Sequence, residues 1–225
     1  MSSNLKPAVL SLEKFKEMDY QAVEKYQLPI ELMMENAGLQ LARLVSTCAK
    51  EKAKVLVGVG KGNNGGGGLV AARRLAGWGF RVFLHLPEKD LKPLPALQLS
   101  RALAFGVNPE PIPDPDIFVE AYLGFSQRLP LSAPVFEAVE KANHLQCLKI
   151  SLDLPTGFDI NTGESIFKPD IILTLAAMKK ELLLPGVSAQ LYVADLGIPA
   201  SLYQNFGVQQ PREFKVSGIF KFSGK

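Results

Sequence analysis

The chain has 225 residues, 47% of them hydrophobic and 21% charged, with a net charge of +3. That length suits one domain with a sizeable core, and the composition excludes a disordered chain. The small net charge comes from scattered basic residues, which argues against a nucleic-acid partner.

Taken in order, the chain reads first as two helices. From Leu10 to Tyr26 the apolar positions Leu12, Phe15, Met18, Ala22 and Val23 keep near-helical spacing, with Ser11 as N-cap. Pro29 opens a second helix running to about Ala49, with its apolar face along Leu32, Met33, Ala37, Leu41, Leu44, Val45 and Cys48. The two helices are expected to form one layer over one side of a sheet. Lys54 to Val59 (KVLVGV) reads as a buried strand. It enters the glycine-rich run GKGNNGGGG, after which Leu69 to Trp78 is helical. Arg81 to Leu86 is a second strand, Pro87 to Pro95 a loop, and Ala96 to Phe105 a helix. Asp116 to Tyr122 is a third strand and Ala133 to Ala142 a helix. Cys147 to Leu152, Asp170 to Leu175 and Gln190 to Val193 complete the strands. Strands alternating with helices predict a Rossmann-like three-layer α/β/α fold with a mainly parallel sheet. The expected organisation is a single domain: two helices over residues 10–50, an α/β core over 54–199 and a weakly patterned tail over 200–225.

Cys48 and Cys147 lack metal-ligand spacing and read as buried structural thiols in a reduced, cytoplasmic setting. No secretory signal and no membrane-spanning run is read from the sequence. His85 and His144 read as structural or surface residues.

Gly60, Gly62 and Gly65 satisfy G-x-G-x-x-G between a strand and a helix, the setting in which backbone amides and a helix N-terminus hold an anionic nucleotide. Six glycines fall within the nine residues from Gly60 to Gly68, more than a tight turn needs. No GK[ST] follows, which excludes a Walker phosphate loop, and Pro87 disturbs the usual ribose-binding acid position. Ligands of parallel sheets sit beyond the carboxyl ends of the strands. There the sequence places Asn64, Glu120, and Asp153 with Thr156, an oxygen-rich set suited to a hard cation or to proton transfer. The competing readings are a solvated acid at Glu120 and a plain turn at Asp153 to Gly157.

The segments LPIELMMENAG, GNNGGGGLVAARRL, DIFVEAYLGF, SLDLPTGFDINTGE, DIILTLAAMKKELL and VADLGIP follow one another in register. In this combination the chain resembles the NAD(P)H-hydrate epimerase family (the YjeF N-terminal domain) from about Leu10 to Pro199. The resemblance implies an isomerase that interconverts the R and S hydrates of NADH and NADPH, often as a homodimer, with a potassium ion near the substrate. By motif, Asn63, Asn64, Gly65, Gly66 and Gly67 would contact substrate, as would Asp153 and the loop of Gly124, Phe125, Ser126, Gln127 and Arg128. Asn64, Glu120 and Thr156 would hold potassium. The implied chemistry is reversible loss of the C6 hydroxyl and re-addition from the other face, with Asp153 and Glu120 as the acid–base carboxylates. Several positions depart from the family pattern. Gly67 stands where the family has aspartate. Glu120 also replaces aspartate, and its extra methylene carries the carboxylate about one C–C bond, roughly 1.5 Å, further out. Leu129 and Pro130 replace a Gly-Asp pair, and Ala176 a threonine, while Lys179 and Lys180 remain. A second reading is therefore a non-catalytic relative, a nucleotide-ligand binding or protein-interaction module on the same scaffold.

Overall fold

A computed structural model describes residues 6–223. The chain opens with two short strands, β1 (Lys6–Pro7) and β2 (Val9–Leu10), followed by α1 (Leu12–Glu24) and α2 (Ile30–Cys48). The core then runs β3 (Lys54–Val59), α3 (Asn63–Gly77), β4 (Arg81–His85), α4 (Pro93–Ala104), β5 (Ile117–Ala121), α5 (Ala133–Asn143), β6 (Leu148–Leu152) and β7 (Ile171–Leu175). It closes with β8 (Met178–Lys179), β9 (Gln190–Ala194), α6 (Ala200–Asn205), β10 (Val208–Gln209) and β11 (Ile219–Lys221). The central sheet has seven strands in the order β11-β9-β7-β6-β5-β3-β4, all parallel except β11. Among the described residues no helix is long and apolar enough to cross a membrane.

The alternation of side chains along the strands divides the core into two faces. Val55, Val57 and Val59 of β3, with Val119 and Ala121 of β5, meet Leu69, Ala72 and Leu75 of α3 and Leu41, Leu44 and Val45 of α2. The opposite face carries Leu56 and Phe118 against Val135, Ala138 and Val139 of α5. Ile172, Leu191 and Val193 join Phe15, Met18 and Ala22 of α1, and Leu202 and Tyr203 of α6, in a further cluster. Three layers result, as expected.

Three expectations change. The two N-terminal helices do not form one layer: α1 packs with α6, whereas most of α2 packs with α3 across the sheet. The kink that separates them falls where Pro29 holds an extended φ/ψ of −68°/149°. Helix α3 begins at Asn63 rather than near Leu69, so only Gly60 to Gly62 form the turn. The weakly patterned tail holds α6 and two strands, of which β11 completes the edge of the main sheet beside β9. Its three residues pair by backbone bonds, which need no long hydrophobic period to announce them.

Candidate functional site

Strand order reverses between β3 and β5: the chain leaves β3 toward β4 on one side, then crosses back through α4 to β5 on the other. The crevice beyond the strand ends at such a switch point is where open α/β sheets receive ligands. Here it is bounded by the loop after β3, the loop after β5 and the loop after β6. The ends of β3 and β5 approach closely. Gly60 N–H donates to Ala121 O at 3.1 Å, and any Cβ at Gly60 would collide with the Tyr122 carbonyl.

The remaining glycines act differently from a phosphate cradle. Gly65 to Gly68 lie in the first turns of α3 and are buried. A Cβ on Gly66 would stand 2.6 Å from the Met34 sulfur, and one on Gly68 2.6 Å from Ala121 Cβ. Gly38 of α2 is similarly pressed against Val70 of α3. The glycines let α3 lie close to both α2 and the sheet. A Cβ at Gly67 would face Leu152 Cδ2 at 3.1 Å and Ala37 Cβ at 3.9 Å, so this position borders apolar side chains. Asn63 is exposed in the first turn of α3, and Asn64 half-buried.

Asn64 donates its side-chain amide to Leu123 O at 3.0 Å and Leu152 O at 3.2 Å, tying together the ends of β5 and β6. The Leu123 N–H donates to Thr156 Oγ1 at 3.1 Å, and Thr156 donates its hydroxyl to Glu120 Oε1 at 2.7 Å. Asn64, Thr156 and Glu120, read separately from the sequence, therefore meet through Leu123. Glu120 is fully buried. Strand register puts it beside Ser151, whose hydroxyl donates to Oε2 at 2.7 Å, and the Tyr122 and Thr156 N–H groups complete its shell at 2.8 and 3.3 Å. Burial pushes the Glu120 carboxyl above its ordinary value, and the hydrogen bonds from Ser151, Thr156 and Tyr122 oppose that shift. Neither a solvated acid nor an open ligand describes Glu120, because its side chain is buried and reaches donors on β6 and on the loop that follows it. Oxygen atoms dominate this corner: the Asn64 amide oxygen, the Thr156 hydroxyl and the Leu123 and Leu152 carbonyls. Hard cations take such donors, and the buried carboxylate of Glu120 supplies a charge to balance one. The residues present fit a potassium ion in that chemical sense.

Asp153 follows β6 with φ at +73°, a left-handed conformation that non-glycine residues seldom hold. Its backbone N–H still donates to Leu173 O at 2.8 Å. Oδ2 accepts the Phe125 N–H at 2.6 Å, and Oδ1 lies 2.7 Å from Lys179 Nζ. Asp153 and Lys179 are both buried. The Lys179 ammonium also donates to Thr174 Oγ1 at 2.8 Å and lies 3.8 Å from the centre of the Phe15 ring. Burial pushes the Lys179 ammonium below its ordinary value, opposed chiefly by Asp153. A buried pair of this kind is costly to break, because the survivor is left as an uncompensated charge.

In the loop after β5, Gly124 lies against Asp153 Oδ2 and the Asn64 amide, where a Cβ would come within 2.9 and 3.2 Å. Ser126 and Arg128 are exposed, and Phe125 is half-buried. Gln127 has its side chain turned inward: it donates to Pro155 O at 3.1 Å and accepts from Gly157 N at 2.6 Å and Phe158 N at 3.3 Å. Both ends of its amide clasp the loop after β6. The two cysteines are unpaired, but Cys48 is exposed and Cys147 half-buried, so the expectation of two buried thiols does not hold for Cys48. It sits at the last position of α2, where the apolar stripe runs out into solvent. His85 donates to or accepts from the Tyr122 hydroxyl at 2.7 Å, consistent with a structural role.

Two groups were given no role by the sequence. Lys179 lies in the family segment DIILTLAAMKKELL, but only its burial reveals a partner for Asp153. Asp19 lies on α1, one turn beyond Phe15; burial pushes its carboxyl up, Asp153 adds to the rise and Lys179 opposes it. A carboxylate sharing the buried face of an amphipathic helix was the available signal.

A family model described as the YjeF-related protein N-terminus matches residues 30–181. An NAD(P)H-hydrate epimerase of Rhodopirellula baltica is 33% identical over 216 residues, covering 88% of this chain and 88% of its own. A second, from Dehalogenimonas lykanthroporepellens, is 35% identical over 221 residues, covering 93% of this chain and 90% of its own. The crystal structure of the yeast protein ynu0 shares the fold, with a TM-score of 0.84 over 95% of this chain and 99% of that one at 24% identity.

Proposed function

This chain belongs to the YjeF-related protein N-terminus family, and on that premise we propose that it is an NAD(P)H-hydrate epimerase, interconverting the R and S hydrates of NADH and NADPH. The observation that carries the reading is Asp153, a buried carboxylate held in a strained conformation beside the switch-point crevice, between the Phe125 N–H and Lys179. Such a group is preorganised to meet charge that develops on a substrate, because its orientation is set before binding. The glycine at position 67 removes a carboxylate from the family pattern without opening a void, since Leu152 lies against it. The buried Asp153–Lys179 pair is left intact.

The nucleotide would enter over Asn63 and the first turn of α3, with Ser126 and Arg128 at the rim offering a hydroxyl and a cation to the phosphates. A potassium ion would be held by Asn64, Thr156 and the neighbouring carbonyls, with Glu120 behind them. When bound it would supply a positive charge close to the substrate. A homodimer in the cytoplasm accompanies this reading. It rests on the family resemblance, and on unpaired cysteines and reduced coenzymes as the damaged material.

The test is to incubate the protein with pure R hydrate and follow the S hydrate by NMR or through an S-specific dehydratase. Conversion well above the spontaneous rate is expected, and Asp153→Asn should reduce kcat by roughly 10²–10⁴. A wild-type rate equal to the spontaneous one, with potassium present, would overturn the reading.

A further inference from the structure

The N-terminal helix brings a carboxyl group to the site that none of the motifs contains. Pairing of Leu10 with Lys179, through β2 and β8, anchors the start of α1 beside the buried lysine. The Glu181 carboxylate accepts the Leu12 N–H at 3.0 Å, which fixes the first turn. Phe15 then lies under the Lys179 ammonium and meets the Phe125 ring edge-on at 5.1 Å. Asp19 follows Phe15 by one helical turn and so shares its face. Unlike Phe15, it remains partly accessible to solvent. The same α1 face thus covers Phe125 and Lys179, the partner of Asp153, and carries a carboxyl group one turn on.

Resting on the epimerase reading, we infer that Asp19 is the proton-exchanging catalytic residue, delivering a proton to the departing C6 hydroxyl and recovering one when water re-adds. Both oxygens of Asp153 are already engaged, by Lys179 and by the Phe125 N–H, which suits a fixed anion better than a proton carrier. Glu120 is sealed beneath Ser151 and Thr156 and has no path to a ligand. The charged groups acting on Asp19 are Asp153 and Lys179, and Glu181 acts on Lys179 in turn. Burial and Asp153 favour the protonated form of Asp19, as a general acid requires.

The step balances within the site. The N1 lone pair forms the N1=C6 double bond as the C6–O bond breaks with its electrons on oxygen. The Asp19 proton joins that oxygen, water leaves, and Asp19 is ionised. Water then adds to C6 from the opposite face, the N1=C6 π pair returns to nitrogen, and the surplus proton returns to Asp19.

The experiment compares wild type, Asp19→Asn and Asp19→Glu in the R-to-S assay as a function of pH. Asp19→Asn should lose roughly 10²–10⁴ in kcat with little change in KM, and should lack the alkaline fall in rate that wild type shows. Asp19→Glu should recover part of the rate and that alkaline limb. An Asp19→Asn variant with kcat within about threefold of wild type, or one that keeps the alkaline limb, overturns the assignment. A carbon-detected titration of the Asp19 carboxyl in the full chain supplies a readout free of turnover. Its midpoint should lie above the ordinary aspartate range and fall in Asp153→Asn. An ordinary midpoint that ignores Asp153→Asn also overturns it. Inactive wild-type protein refutes the epimerase reading instead, and the titration still decides whether the two carboxyl groups share a site.

Discussion

At the residue scale, the site is a set of buried charges whose partners come from distant parts of the chain. Asp153 and Lys179 are paired at 2.7 Å, and Asp19 answers to both. The raised carboxyl of Asp19 has a consequence for stability. Its proton is held more tightly in the folded chain than in the unfolded one, so its contribution is complete below the unfolded value. That contribution is lost as pH rises through the folded value. Asp19→Asn carries no such proton, and its Tm should gain on that of wild type as pH rises from the ordinary aspartate range to the folded value. Melting curves across this window check it; a Tm difference that stays constant with pH counts against the shift. Asp153, Asn64, Glu120 and Thr156 were legible in the sequence because strand ends and turns mark them locally. Lys179 was noted as retained in a family segment but without a role, and Asp19 not at all, since what gives them a role is a partner more than twenty residues away in each case, and periodicity reports only one helix or strand at a time.

At the element scale, α3 shows how a correct motif can carry a different physical reason. The sequence places a glycine-rich segment between β3 and a helix, and the structure keeps it there. Glycine entropy in a helix is unfavourable by about 1 kcal/mol relative to alanine, so a run of four needs a compensating gain. Close packing supplies it: α3 lies against α2 and the sheet at separations that leave no room for a Cβ at Gly38 of α2 or at Gly68. Gly68→Ala should therefore destabilise by about 1–3 kcal/mol, through its clash with Ala121. Gly62→Ala has open space around it, and its φ of −97° suits any residue. It should stay within about 0.5 kcal/mol of wild type. Urea denaturation of the two variants separates the cases. Equal losses would mean that the packing at Gly68 is not what glycine protects. The missed start of α3 has the same origin: glycine-rich sequence reads as turn by propensity, and only the facing helix makes it helical.

At the scale of the whole molecule, the fold brings three loops to one crevice and ties them with side chains. Asn64 joins the ends of β5 and β6, and Gln127 clasps the loop after β5 to the loop after β6. A cation bound by Asn64 and Thr156 would stabilise the folded chain by mass action, by about 2.7 kcal/mol at a hundred times its Kd. Potassium chloride should thus raise Tm above an equal concentration of sodium chloride, and Asn64→Ala should abolish the difference. Identical melting in both salts would remove potassium from the site.

The sequence by itself determined the alternating β and α elements, the parallel class of the sheet and the family motifs. These depend on local periodicity, on turn chemistry and on short runs of side chains, all of which are written along the chain. The glycine-rich segment and the polar strand ends could be located in the same way. Tertiary structure alone decided that α1 and α2 lie on opposite faces, that the C-terminal β11 closes the sheet edge, and that α3 starts six residues earlier than its propensity implies. It also decided that Glu120 is sealed, that Asp153 and Lys179 are a buried pair, and that the half-buried Asp19 answers to both. The physical reason is common to all of these: burial and charge coupling belong to pairs of residues brought together in space, and no single segment records its partner.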